Sequence, residues 1–394
     1  MSKFEVNIVS DGNISTNVLL KQIFTRFKTV TNVNVLYIEE IKLQDLTNKI
    51  NVFCRNCIPK YNWLPSFLDK NKIPYIYYID DNLWELNDGS VLAKYHSSPE
   101  TISSLDNFVK NATVVITSTD KLREYIAEYK SFVNGEVINL PNFVDFSKFP
   151  TKETLCNNRK GEFRIGYAGS PKDDAFQPVF LALEEIRDQG WEFSVEFVGF
   201  KPKTNFKIGK LYPFQNSYEE YIQLVHSRKW NLALAPFIDD YFWSFKTDNK
   251  YREYSALGIP AIYSNVEPYS SVVTDAENGF LVENEKESWA SKILEVLRSE
   301  HNLAKISETS NRDVRDRYDI NVVSRVWENT MELDKFYVPE SAFSDMNVFY
   351  FKFKNNFTPS YFLFLGKLFL ISVKSEGYIE TFRKVIRFLS KGKK

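Results

Sequence analysis

Short apolar runs of strand length alternate with segments of helical spacing along most of this chain, and the alternation occurs twice. In the first half the runs are 4–9, 33–38, 51–53, 74–79 and 113–116, and segments 18–27, 63–70 and 120–130 carry apolar residues every three or four positions. Runs that are apolar on both faces and separated by helices predict a parallel sheet covered on both sides. Val137-Ile138-Asn139-Leu140 runs into Pro141-Asn142, which stops the pattern, and the polar stretch 150–161 lacks periodicity. Strands then resume at 163–168, 194–198, 232–235 and 261–263, with helices at 176–187, 288–298 and 322–333. The expected organisation is α/β: a doubly wound domain over 1–150, a linker over 151–162, a second doubly wound domain over 163–338, and a tail over 339–394. Ligands of such sheets bind outside the carboxyl ends of the strands, so a cleft between two facing domains is the expected site.

The 394 residues suffice for two domains and an appendage, and 43% apolar with 26% charged residues is a globular composition. Cys54, Cys57 and Cys156 give no disulfide framework, which fits a reducing cytoplasm. Cys54-Arg55-Asn56-Cys57 has no second pair and the chain has only three histidines, so a zinc site is not expected. A redox pair would need a long helix behind it, which Pro59 opposes; the two cysteines read as structural. The first ten residues read as a strand and not as a signal peptide, and no apolar run reaches the roughly 18 residues of a membrane-spanning helix. The protein is therefore expected inside the cell. Residues 341–394 hold ten Lys and Arg against three Asp and Glu, a surplus of +7, while the net charge is -1. A basic tail on an acidic body suggests an anionic surface as partner.

Two constellations can carry chemistry. Gly166-Tyr167-Ala168-Gly169-Ser170-Pro171-Lys172 ends a strand in a glycine turn before a helix. Glycine lets backbone approach an anion, and free N–H groups at a helix start stabilise a diphosphate; the alternative is a plain strand-to-helix turn. In Lys246-Thr247-Asp248-Asn249-Lys250-Tyr251-Arg252-Glu253, the charged residues 246, 250 and 253 share one face if the segment is helical. Two cations suit a diphosphate and a carboxylate suits sugar hydroxyls; a solvated salt-bridge face is the other reading.

Lys250-x-x-Glu253-Tyr254-x-Ala256-x-Gly258-Ile259-Pro260-Ala261-Ile262, then Asp275-x-x-Asn278-Gly279-Phe280-Leu281-Val282 and a closing helix with Trp289, resembles the C-terminal domain of GT-B glycosyltransferases, family four in particular. Ile79-Asp80-Asp81-Asn82-Leu83-Trp84, Thr117-Ser118-Thr119 and Leu140-Pro141-Asn142-Phe143 extend the resemblance to roughly residues 1–335 and to a bacterial subgroup that builds O-antigen, capsule and other surface polysaccharides.

The resemblance implies two Rossmann-like domains, with Glu253 at the ribose of a nucleotide-sugar donor and Gly169, Ser170 and a lysine among Lys172, Lys201, Lys246 and Lys250 at the diphosphate. Many relatives carry a further Glu eight positions earlier, against the donor sugar; here Phe245 stands there, beside Lys246, so a retaining mechanism is implied less directly. Asp80 and Asp81 fall in the acceptor half. A metal site is one reading of the pair, but the family manages without one, and acceptor binding with Trp84 or a catalytic role beside Lys246 is expected. No cofactor is expected. The implied activity is hexosyl or deoxyhexosyl transfer to a glycan on a lipid carrier, with the tail on the inner membrane face. A sugar-nucleotide epimerase of the same build and a non-catalytic glycan-binding subunit are the alternatives.

Overall fold

The computed structural model describes residues 3–87, 89–129, 133–150, 162–170, 172–299 and 301–337. The tail over 339–394, with its expected membrane helix, and most of the expected linker, with Cys156, lie outside the described residues. The chain forms two compact units, one from residues 1–140 with 324–394 and one from 141–323. The first unit therefore ends earlier than 150 and recovers the chain near its end. The reason is local: Val144 pairs with Asp319, and Val144 and Phe149 are buried in the core of the second unit.

The first unit contains β1 (Phe4–Ser10), α1 (Ser15–Phe24), β2 (Val30–Tyr37), β3 (Ile50–Cys54), α2 (Trp63–Lys70), β4 (Ile76–Ile79), α3 (Val91–His96), α4 (Pro99–Lys110), β5 (Val114–Thr117), α5 (Asp120–Tyr129) and β6 (Glu136–Asn139). All strand pairs are parallel, in the order β2-β1-β3-β4-β5-β6. Strands β3 and β4 are buried at every position, which is why they read as continuous apolar runs.

The second unit contains β7 (Arg164–Ala168), α6 (Asp173–Asp188), β8 (Ser194–Val198), β9 (Lys210–Tyr212), α7 (Tyr218–Ser227), β10 (Leu232–Ala235), α8 (Asn249–Ala256), β11 (Ala261–Ser264), β12 (Phe280–Val282), α9 (Lys286–Leu297), α10 (Leu303–Tyr318) and the start of α11 (Ile320–Thr330). Its parallel sheet runs β12-β11-β10-β7-β8-β9. A β-carbon on Gly166 in β7 would lie 1.9 Å from the Trp230 ring, so only glycine admits the indole there. The end of α11 belongs to the first unit, where Trp327 is buried 6.1 Å from the Phe24 ring and 6.0 Å from Tyr78. No helix among the described residues is long and apolar enough to cross a membrane.

Candidate functional site

In the second unit the strand order reverses between β7 and β10, which opens a crevice at the carboxyl ends of those strands. Gly169 follows β7 with φ +151°, and a β-carbon there would stand 2.9 Å from the Tyr167 hydroxyl and 3.1 Å from Lys250 Cε. Its N–H donates to Val198 O at 3.0 Å, and Tyr167 donates to Ser170 O at 2.9 Å, so the turn is tied at both ends. Lys172 then occupies the N-cap position of α6. Asp173 and Asp174 fill the first turn of that helix. Two carboxylates already complement the helix dipole, so the cationic groups of this region are its lysines.

Those lysines lie against the aromatic loop after β10. Lys172 Nζ is 3.8 Å from the Phe237 ring centroid and 4.4 Å from Trp243. Lys246 Nζ is 4.7 Å from Phe242 and 5.6 Å from the same Trp243. Lys246 does not share a helix face with Lys250, because α8 starts at Asn249 and Lys246 caps the short 3-10 turn Trp243–Phe245. Phe245 is 1% exposed, its ring 5.1 Å from Tyr241, so this side chain is part of the core. Burial first, then the nearby charges of Lys250 and Lys246, pull the Lys172 ammonium down to about 7. Lys201, in the loop after β8, is exposed, and no described contact joins it to this group.

Lys250 Nζ donates to Glu253 Oε2 at 2.6 Å and to the Tyr221 hydroxyl at 3.1 Å, and Tyr221 donates to Glu253 Oε2 at 2.9 Å. Burial works against the Lys250 charge, but Glu253 outweighs it and holds the ammonium above the ordinary lysine range. The opposite face of α8 is fixed by α10: Asn311 donates to Ser255 O at 2.8 Å, Ser307 to Gly258 O at 2.8 Å, and Tyr251 to Asp313 Oδ2 at 2.6 Å. Gly258, with φ +63°, ends the helix in the left-handed conformation glycine favours. Asn278 closes its own turn by accepting the Thr274 N–H at 2.7 Å and donating to Tyr251.

In the first unit the sheet reverses between β1 and β3, and charged groups collect at the strand ends there. Asp80 and Asp81 follow β4, and Arg55, after β3, spans them: Nη1 is 3.4 Å from Asp80 Oδ1 and Nη2 is 3.1 Å from Asp81 Oδ2. Thr16 donates to Asp80 Oδ2 at 3.0 Å. Burial pushes the Asp80 carboxyl up against the opposing pull of Arg55. Asp11, after β1, accepts from Asn56 Nδ2 at 2.6 Å and from the Cys57 N–H at 2.8 Å, yet burial raises it to about 6. Burial, then Arg55, lowers His96 to about 4. Cys54 and Cys57 are buried free thiols, and burial raises both. Trp84 turns its indole N–H onto Asp106 Oδ1 at 2.8 Å.

Apart from Lys201, which no described contact joins to the others, and Trp84, which bonds Asp106, the sequence-predicted residues fall into two groups, one per unit. Gly169, Ser170, Lys172, Lys246, Lys250 and Glu253 lie at the β7/β10 reversal. Asp80 and Asp81 lie together with Arg55. Sequence reasoning missed Tyr221, the Phe237 and Trp243 rings, Arg55 and Asp11. Arg55 had a signal, an arginine directly after a buried strand; Tyr221 had none.

Residues 251–313 match the family described as glycosyl transferases group 1. No curated protein sequence matches the chain significantly. Similar solved structures include HepE of Anabaena in complex with UDP-glucose, at 12% identity over 83% of this chain and 98% of that one, with a TM-score of 0.57. Sucrose-phosphate synthase from Thermosynechococcus elongatus is similar at 12% identity over 83% and 98%, with a TM-score of 0.53. A glycosyltransferase from Rickettsia africae is similar at 12% identity over 84% and 98%, with a TM-score of 0.52. By fold the chain is a GT-B protein, and over residues 251–313 it carries the pattern of glycosyl transferases group 1.

Proposed function

We propose that this protein is a glycosyltransferase that takes a hexosyl or deoxyhexosyl group from a nucleotide-sugar donor and passes it to a glycan acceptor. The observation that carries the reading is the convergence of Lys172, Lys246 and the Lys250–Glu253 pair at the β7/β10 reversal, within and beside the segment of family pattern. Glu253 meets the ribose and the lysines meet the diphosphate. Stabilising negative charge on the departing diphosphate is the main contribution such a cluster makes to the rate. The UDP and UDP-glucose complexes of the Anabaena protein support a nucleotide-sugar donor.

Asp80 and Asp81 bind acceptor hydroxyls or act in the transfer, with Arg55 supplying the balancing charge. Trp84 sits near the start of the same loop, as a part of the acceptor side. Transfer is retaining, needs no metal, and serves bacterial surface polysaccharide such as O-antigen or capsule. The acceptor is lipid-linked at the cytoplasmic membrane face, which residues 341–394 reach through their basic and aromatic side chains. Incubation with a panel of nucleotide sugars tests the reading: release of nucleoside diphosphate that increases with a glycan acceptor supports it. Interconversion of free nucleotide sugars without an acceptor would instead indicate an epimerase.

A further inference from the structure

Tyr221 lies on α7, outside every motif of the sequence, and its hydroxyl sits between the two charged residues of α8. A phenol hydroxyl has one proton to give and two lone pairs to receive with. Here the proton goes to Glu253 Oε2 at 2.9 Å, and Lys250 Nζ donates to the phenol oxygen at 3.1 Å while also donating to Oε2 at 2.6 Å. The three groups close a ring on Oε2. Glu253 Oε1 has no hydrogen bond among the described residues, so one carboxylate oxygen is held and the other is presented.

Lys250 alone would fix Glu253 poorly. The two lie three residues apart on one helix, and a pair of long side chains can swing together while keeping its contact. Tyr221 anchors them to a second element, 32 residues away in sequence from Glu253. Its ring is further fixed 5.9 Å from Tyr218.

We propose that Tyr221 is a positioning residue for nucleotide recognition: it holds Glu253 with Oε1 toward the ribose and thereby sets a preference for ribonucleotides over 2′-deoxyribonucleotides. This rests on the reading that Glu253 meets the ribose. A site built around a fixed acceptor discriminates against a ligand that lacks the matching hydroxyl, because the acceptor is then left unpaired.

The test measures dissociation constants by calorimetry for whichever of UDP, GDP, ADP and CDP raises the wild-type Tm most, for its 2′-deoxy form, and for inorganic pyrophosphate. Tyr221→Phe keeps the ring and removes only the hydroxyl. It is expected to weaken the ribonucleotide on the order of tenfold, to change the 2′-deoxy form and pyrophosphate little, and so to collapse the ribo-to-deoxy ratio. In a Glu253→Gln background the same change should leave the ratio where Glu253→Gln alone puts it. Lys250→Met, which leaves Tyr221 as donor to Glu253, should weaken pyrophosphate and keep the ratio. A wild-type ratio in Tyr221→Phe, an equal loss for pyrophosphate, or a collapsed ratio in Lys250→Met would overturn the proposal while leaving nucleotide binding in place. Wild-type protein that binds none of the four nucleotides would defeat the proposed function itself, and this inference with it.

Discussion

The ammonium of Lys172 lies 3.8 Å from the centroid of the Phe237 ring. Aromatic faces attract a cation but hydrate it poorly, and two further lysines stand nearby. Burial and those charges bring Lys172 to about 7. A diphosphate beside it restores the preference for the charged form. Above pH 7 the free site holds Lys172 neutral and the bound site holds it charged, so binding takes up a proton; well below pH 7 both are charged and uptake vanishes. Calorimetry in buffers of different ionisation enthalpy should give uptake of about one proton per nucleotide sugar, whose diphosphate has no group titrating in this range, near pH 8, falling toward zero near pH 5.5, and Lys172→Met should abolish it. Uptake that is independent of pH, or unchanged in the variant, would contradict this assignment.

The same shift acts on stability. A lysine whose folded value is depressed destabilises the fold where it must be charged, below about pH 7, and the penalty fades as pH rises toward the unfolded value of 10.5. Lys172→Met should therefore raise Tm more at pH 6 than at pH 10. A pH-independent gain would show that the lysine is easily hydrated in place.

Arg55 balances two carboxylates at once. Replacing it with Met leaves Asp80 and Asp81 side by side without their cation, in a site that is partly exposed. The expected cost is about 2 kcal/mol at neutral pH, below the 3–5 kcal/mol of a fully buried pair. Because acid protonates the carboxylates and removes their repulsion, the loss should shrink as pH falls toward 4. Denaturant unfolding of both proteins across that range checks the sign. Asp80→Asn should lower transfer while leaving nucleotide affinity unchanged.

Gly166→Ala would drive a methyl into the Trp230 ring, at 1.9 Å from its nearest atom. The indole cannot retreat easily, since its N–H donates to Glu196 at 3.0 Å and Glu196 also holds Arg228. A loss of about 3 kcal/mol or more is expected, at the upper end of overpacking costs; a Tm within a degree or two of wild type would show that the ring has room to move.

Much of this architecture was legible because most strands of both sheets are buried on both faces and so appear as plain apolar runs, as β3, β4 and β10 do. Edge strand β9 was missed: two of its three residues are exposed, so Lys210-Leu211-Tyr212 carries no apolar signature. Helix α10 was missed for the opposite reason. Its buried face includes Ser307 and Asn311, which cap carbonyls at the end of α8, and Ser310, which bonds back to Ser307 O; all three look like surface residues in sequence. In the site, Lys250 and Glu253 are legible from helical spacing, whereas Lys246 has the same spacing but precedes a helix that starts only at Asn249. Tyr221 could not be found, because its contacts to Lys250 and Glu253 span 29 and 32 residues and exist only once α7 and α8 are folded together.

In the proposed reaction the Lys250–Glu253 pair on α8 holds a nucleoside diphosphate for sugar transfer. The most direct test of that role is the Tm of wild-type and Glu253→Ala protein against a panel of nucleoside diphosphates and their sugars at millimolar concentration. Ligand that binds only the folded state raises Tm, by about 2.7 kcal/mol of stabilisation at a hundredfold excess over its dissociation constant. A clear rise is expected for one nucleotide series in wild type and a much smaller one in Glu253→Ala, each read against that protein's own ligand-free Tm, which should be lower in the variant because Lys250 loses its partner. No response of the wild type to any of them, or an equal response from both proteins, would contradict that role.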